Sequence, residues 1–242
     1  MLYLIGLGIN DEKDISLKGI DAIKSCDAVF AELYTCPIHA DLSNLEKLTS
    51  KKIQLLNRKQ VEEDELVLKS AKSCDTAFLV GGDALSATTH TEIILDAKKA
   101  GIDVKVIHAS SIFTAIAETG LMLYKFGKTV SLPIPQENYF PTTPYTNIKD
   151  NLDSNLHTLL LLDIGMSANK AIDVLLELEG KMNGKLFSDS SKLVVVAHLG
   201  GDSLIKYDAI SNLKKMDFGI QPHALIIPSA LHFHEEEFLE LF

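Results

Sequence analysis

The chain has 242 residues, a formal net charge of −10 and 46% hydrophobic residues. That length allows one large domain or two of roughly 120 residues, and the apolar content can build a core and excludes a disordered chain. Acidic residues outnumber basic ones 33 to 23, and Arg58 is the only arginine, a balance that argues against a general nucleic-acid binder.

The first apolar run, Leu2–Leu7, has no basic segment before it and no cleavage site after it. It is too short for a membrane anchor, and no run reaches the ~20 residues of a bilayer span, so a soluble, cytoplasmic protein is expected. Cys26, Cys36 and Cys74 are spaced neither for zinc nor for a redox pair, and read as free thiols in a reducing compartment.

The run ends in Gly6-Leu7-Gly8-Ile9-Asn10-Asp11. Paired glycines after a strand let backbone approach a ligand closely, although a tight structural turn explains them as well. The third glycine of a dinucleotide fingerprint is missing, which disfavours a nicotinamide enzyme. Leu17, Ile20 and Ile23 share one face of a predicted helix, and Ala28–Leu33 reads as the second strand.

A third strand, Thr76–Val80, runs into Gly81-Gly82-Asp83, followed by Ser86-Ala87-Thr88-Thr89-His90. This delivers a carboxylate to the carboxyl edge of a sheet, where ligands of open α/β folds collect. The competing reading makes Asp83 the cap of a helix starting near Ser86. Ile93, Ile94 and Ala97 form the next helical face, stopped at Gly101. The strand Val104–Ile107 then leads to His108-Ala109-Ser110-Ser111. Here the serines are expected to cap a helix, with backbone groups at the turn open to a ligand.

Gly127-Lys128 closes this part, and four of the seven prolines fall between Pro133 and Pro144. A boundary is therefore placed between residues 1–127 and 128–242. Beyond it come the strand Leu159–Asp163 and a helix with Ala171, Val174, Leu175 and Leu178 on one face, ending near Gly180. The strands Leu193–Ala197 and Ala224–Ile227 follow. Strands alternating with helices predict two α/β domains with largely parallel sheets. His198, His223, His232 and His234 lack zinc-like spacing, and no metal site is expected. His232-Phe233-His234 reads as extended and Glu235-Glu236-Glu237 as a solvated helix start. No nucleophilic triad or phosphate loop is present.

Several segments, in order, resemble the diphthine synthase family of the tetrapyrrole methylase superfamily. They are Ile5-Gly6-Leu7-Gly8 with Asp11-Glu12 and Asp14 to Gly19; Glu32-Leu33-Tyr34-Thr35; Gly82-Asp83 with Ala87-Thr88-Thr89-His90; and His108-Ala109 with Ser111-Ile112. Tyr124 to Lys128, Phe140-Pro141-Thr142, Leu156 to Leu160 with Asp163, Pro222-His223, Ile226-Ile227-Pro228 and Leu231-His232 complete the set.

The resemblance implies two α/β domains of the tetrapyrrole methylase type with the cofactor cleft between them, a homodimer, and S-adenosyl-L-methionine as cofactor. It also implies the acceptor, translation elongation factor 2. One histidine of that factor carries a 3-amino-3-carboxypropyl group whose amine is methylated repeatedly to give diphthine, in diphthamide biosynthesis. The cofactor positions it implies are Ile9, Asp83, Ser86, Ser111, Ile112, Leu162, Gly200 and His223. The chain departs from the family where it reads Ala197-His198-Leu199-Gly200-Gly201 instead of Ala-Arg-x-Gly, and at Ala84, where proline is usual. No residue stands out as a general base. Tetrapyrrole carbon methylation and ligand binding without catalysis are the alternatives.

Overall fold

Alternation along the first strand already requires two covered faces. In a computed structural model that describes residues 1–242, β1 (Leu2–Gly6) is followed by α1 (Leu17–Ser25), β2 (Ala28–Glu32), α2 (Leu42–Thr49) and β3 (Gln54–Leu55). Then come α3 (Arg58–Glu62), α4 (Leu66–Ala71), β4 (Thr76–Val80), α5 (Thr91–Lys99), β5 (Val104–Ile107) and α6 (Ile112–Ala115). The five strands pair entirely in parallel, in the order β3-β2-β4-β1-β5.

Ile5, Leu7, Ala77 and Leu79 pack on one face against Ile20, Ile23 and Leu45 of α1 and α2. Leu2, Leu4, Phe78 and Val80 pack on the other face against Val61, Val67 and Ala97 of α3, α4 and α5. Burial on both faces is why these strands read as unbroken apolar runs. It also sends the chain from β1 to one side of the sheet and from the adjacent β4 to the other. Two loops that part in this way open a crevice at the carboxyl edge.

The second unit contains β6 (Val130–Leu132), α7 (Thr143–Asp153), β7 (Thr158–Leu162), α8 (Ala168–Met182), β8 (Lys192–Ala197) and β9 (Leu204–Ala209). It ends with α9 (Ile210–Leu213), β10 (His223–Ile227) and α10 (Phe233–Leu239). Its sheet order is β6-β7-β10-β8-β9, and only the β6–β7 pair is parallel. The largely parallel arrangement expected from sequence thus holds for the first sheet and fails for the second. Six residues join β8 to β9, too few for the crossover a parallel neighbour needs. β9 escaped the sequence reading because Lys206 and Asp208 interrupt it and most of it is only half-buried.

Packing divides the chain into Met1–Ala115 and Ile116–Phe242, twelve residues earlier than the proline-based boundary. The Met122 amide donates to Glu235 at 3.0 Å and the Gly127 amide to the His157 carbonyl at 2.8 Å. Residues 116–127 therefore belong with the second unit. Two helix details also differ from expectation. Leu17 is exposed, because the buried face of α1 is Gly19, Ile20, Ala22 and Ile23, and at 3.6 residues per turn Leu17 lies about 140° from its centre. α8 runs past Gly180 to Met182 and stops at left-handed Asn183, a short polar residue that tolerates that conformation.

Candidate functional site

At the carboxyl edge of the first sheet the two glycine turns are locked together. Gly82 N–H donates to the Gly8 carbonyl at 2.7 Å, and Gly8 N–H to the Gly82 carbonyl at 3.2 Å. Both residues have positive φ, 87° at Gly8 and 71° at Gly82, a region that side chains other than glycine seldom adopt. A Cβ on Gly8 would lie 2.2 Å from Asp14 Cβ, whereas Gly82 faces open space.

Asp83 follows directly, and its carboxylate ties two strand ends together. Oδ1 accepts from the Leu85 amide at 3.0 Å and the Ser86 hydroxyl at 3.3 Å. Oδ2 accepts from His108 Nδ1 at 2.8 Å and the Ala109 amide at 3.1 Å. Burial opposes the charge on Asp83. The hydrogen bonds from Leu85, Ala109 and His108 outweigh it and hold the carboxyl below its ordinary range. The helix-cap alternative fails, since residues 84–90 are loop and α5 starts at Thr91 without a side-chain cap. Asp83 instead bridges the end of β4, over β1, to the end of β5.

Ile9 stands just beyond the Gly8–Gly82 bridge. Its amide and that of Asn10 donate to Asp14 Oδ2 at 3.1 and 2.9 Å. Asp14 is a support that spacing alone did not single out. Ser111 is buried, and its carbonyl accepts from the Thr114 and Ala115 amides. Its hydroxyl makes no capping bond, contrary to expectation, and stays available beside Ile112. The first unit therefore gathers Ile9, Asp83, Ser86, Ser111 and Ile112 at one sheet edge.

In the second unit, Leu162 ends β7 and His223 begins β10. The pairing of Ala224 with Leu161 places them at the same end of the sheet. Gly200 lies in the loop after β8 at φ 87°, and β8 pairs Ala197 with His223, so this loop leaves from the same end. Both ring nitrogens of His223 are engaged. Nδ1 accepts from the Ala168 amide at the start of α8, at 3.2 Å, and Nε2 donates to the Ile220 carbonyl at 3.1 Å. Burial lowers the His223 pKa, against the pull of that carbonyl, and keeps the ring neutral.

Elsewhere in this unit, His232 caps α10, so the segment His232–His234 enters a helix rather than extending. Glu235 is wholly buried rather than solvated. It takes up Lys125 Nζ at 2.6 Å, His157 Nε2 at 2.9 Å and the amides of Met122 and His232.

A parallel sheet with a glycine-lined crevice and an organised acidic loop, joined to a mixed second sheet, matches a known family model. Residues 1–204 match the Tetrapyrrole (Corrin/Porphyrin) Methylases, and the chain belongs to that family. Among individual relatives, it is 44% identical to the diphthine synthase of Methanocaldococcus jannaschii, over 99% of this chain and 98% of that one. It is 42% identical to the diphthine synthase of Methanothermobacter thermautotrophicus, over 99% and 94%. A crystal structure of diphthine synthase superposes with a TM-score of 0.89 at 35% identity, covering 100% of this chain and 95% of the other.

Proposed function

We propose that this chain is an S-adenosyl-L-methionine-dependent N-methyltransferase with diphthine synthase activity. Its acceptor is the 3-amino-3-carboxypropyl-histidine of translation elongation factor 2, modified in the cytoplasm by a homodimer. The observation that carries this reading is the nearly end-to-end likeness, above 40% identity, to proteins bearing that name.

The residues of the first unit fit such a cofactor. Gly82 leaves room for it, the Ser111 hydroxyl makes no protein hydrogen bond and remains accessible on an otherwise buried residue, and Ser86 can accept a further hydrogen bond. Asp83 has about four acceptor positions, and four protein donors already use them. Its role is therefore to fix the Leu85–Ser86 and Ala109 backbone in binding position and to supply negative potential. Ile9 and Ile112 give apolar walls, and Leu162, Gly200 and His223 are assigned to the same cofactor. For His223 the contact falls to backbone, because its ring is occupied.

When bound, the cofactor supplies a methyl group on a sulfonium, a good leaving group. The chain is left with the tasks of orienting the acceptor amine and excluding water, and alignment of this kind is worth up to ~7–11 kcal/mol. Mass spectrometry of the elongation factor 2 intermediate, incubated with enzyme and S-adenosylmethionine, is expected to show successive methyl additions on the modified histidine. An unmodified acceptor, with S-adenosylhomocysteine failing to bind in calorimetry, would overturn the reading.

A further inference from the structure

A second cavity lies in the first unit, on the face of the sheet covered by α3, α4 and α5. Its volume is about 210 Å³. Val61, Val67, Leu68 and Ile93 form apolar walls, while Glu62, Glu65, Glu92 and Asp96 stand at the margin against the single cation Arg58. Arg58 pairs with Glu62 at 2.8 Å and Asp96 with Lys99 at 3.2 Å. Glu65 and Glu92 have no ion-pair partner.

The lining also includes Tyr34 and His90. His90 is only 4% exposed, and its Nε2 is a buried polar atom without a hydrogen-bond partner. Nδ1 faces the Ala84 carbonyl at 3.3 Å, which requires Nδ1 to carry the proton. In the neutral ring Nε2 is then a bare acceptor, 3.5 Å from Oε1 of the wholly buried Glu32. Burial pushes the His90 pKa down, against the pull of Glu32, and so favours that neutral form. Burial and the charges of Glu32 and Glu62 push the Tyr34 phenol up to about 12. Oε1 of Glu32 already accepts from the Thr35 hydroxyl, so His90 Nε2 is the acceptor left without a donor, and an uncompensated buried acceptor is costly. Apolar walls, an acidic margin and the unpartnered acceptor of His90 match a side chain with an aliphatic stem and a terminal N–H cation.

We propose that this cavity receives a lysine-like cationic side chain of the acceptor protein, held along Val61, Val67 and Leu68 with its ammonium directed to His90 Nε2. The inference rests on the methyltransferase reading for the identity of the acceptor. It concerns a site separate from the residues assigned to the cofactor, although His90 belongs to the same Gly81–His90 loop as Asp83 and Ser86. Docking a cation here would steady that loop.

Two measurements on the full chain test it. In the first, n-butylammonium chloride is titrated into protein carrying ¹⁵N-histidine, with n-pentanol as the uncharged control. The His90 ring signal, assigned by its absence in His90→Gln, is expected to shift with butylammonium and not with pentanol. In the second, Glu65→Gln combined with Glu92→Gln is expected to raise KM for elongation factor 2 at least fivefold. Its kcat and its affinity for S-adenosylhomocysteine should stay within twofold of the parent, so misfolding is separated from lost recognition. A silent His90 signal overturns the cation site. A shifted signal with an unchanged KM overturns the acceptor protein as its occupant. If the parent chain methylates nothing and binds no S-adenosylhomocysteine, the methyltransferase reading falls instead, and with it the acceptor as occupant, while the butylammonium titration still decides whether the cavity takes a cation.

Discussion

The two units solve the problem of a buried carboxylate differently. Asp83 in the first unit and Glu235 in the second each accept from two backbone amides and from a histidine. Glu235 adds Lys125 and a fully buried His157, and lies in the interior as a closed network. Asp83 adds a serine hydroxyl, its histidine is exposed, and it lies at a sheet edge beside glycines, of which Gly82 faces open space. The same chemistry is structural where every partner is enclosed. It becomes a candidate site where the partners line a crevice.

The largest effect is expected at Glu235. Replacing it with alanine strands Lys125, His157 and two amides, and breaking a buried charged network typically costs about 3–5 kcal/mol. Urea unfolding of Glu235→Ala should show this loss with S-adenosylhomocysteine affinity reduced no further than instability requires. A small loss would mean that the network is hydrated and that the contrast with Asp83 is false.

Asp83→Ala should cost less stability and more function. Without the carboxylate the Leu85–Ser86 and Ala109 backbone loses its shared acceptor, so a lower melting temperature, together with a several-fold drop in S-adenosylhomocysteine affinity as the binding backbone loosens, is expected in calorimetry. A lowered melting temperature with intact affinity would make Asp83 a structural carboxylate like Glu235.

Acid should act in two stages, the first shared by both units and the second confined to the second. His90, His157 and His223 all have pKa values lowered by burial from 6.5. The unfolded chain then takes up protons first, and stability falls as pH drops below about 6.5. Glu235 is held down to about 2 from 4.5, with burial opposing and the His232 amide, Lys125, the Met122 amide and His157 prevailing. Its contribution is present above about pH 4.5 and is lost as pH falls toward 2. Melting temperatures followed from pH 8 to 3 should show both stages, and Glu235→Gln should remove only the lower one. A melting temperature flat between pH 7 and 5 would contradict the buried neutral histidines.

The smallest effect belongs to Ser111→Ala. Its hydroxyl has no protein partner to lose, so stability should stay within about 0.5 kcal/mol. Cofactor affinity should fall about 2–10-fold, the value of one ordinary hydrogen bond. Unchanged affinity would remove Ser111 from the site.

Strands with two apolar faces, such as Thr76–Val80, are legible in the sequence, because that pattern has no stable place except inside a covered sheet. The glycine turns at Gly6–Gly8 and Gly81–Gly82 are legible too, since a strand followed by glycines carries its own conformational signature. The antiparallel second sheet was decided by tertiary structure, because strand direction depends on connection lengths such as the six residues before β9. So were the buried role of Glu235 and the meeting of Glu32 with His90. Each of these depends on partners brought together by folding, some more than a hundred residues apart in sequence, and no local pattern encodes which buried acceptor a distant amide or ring will find.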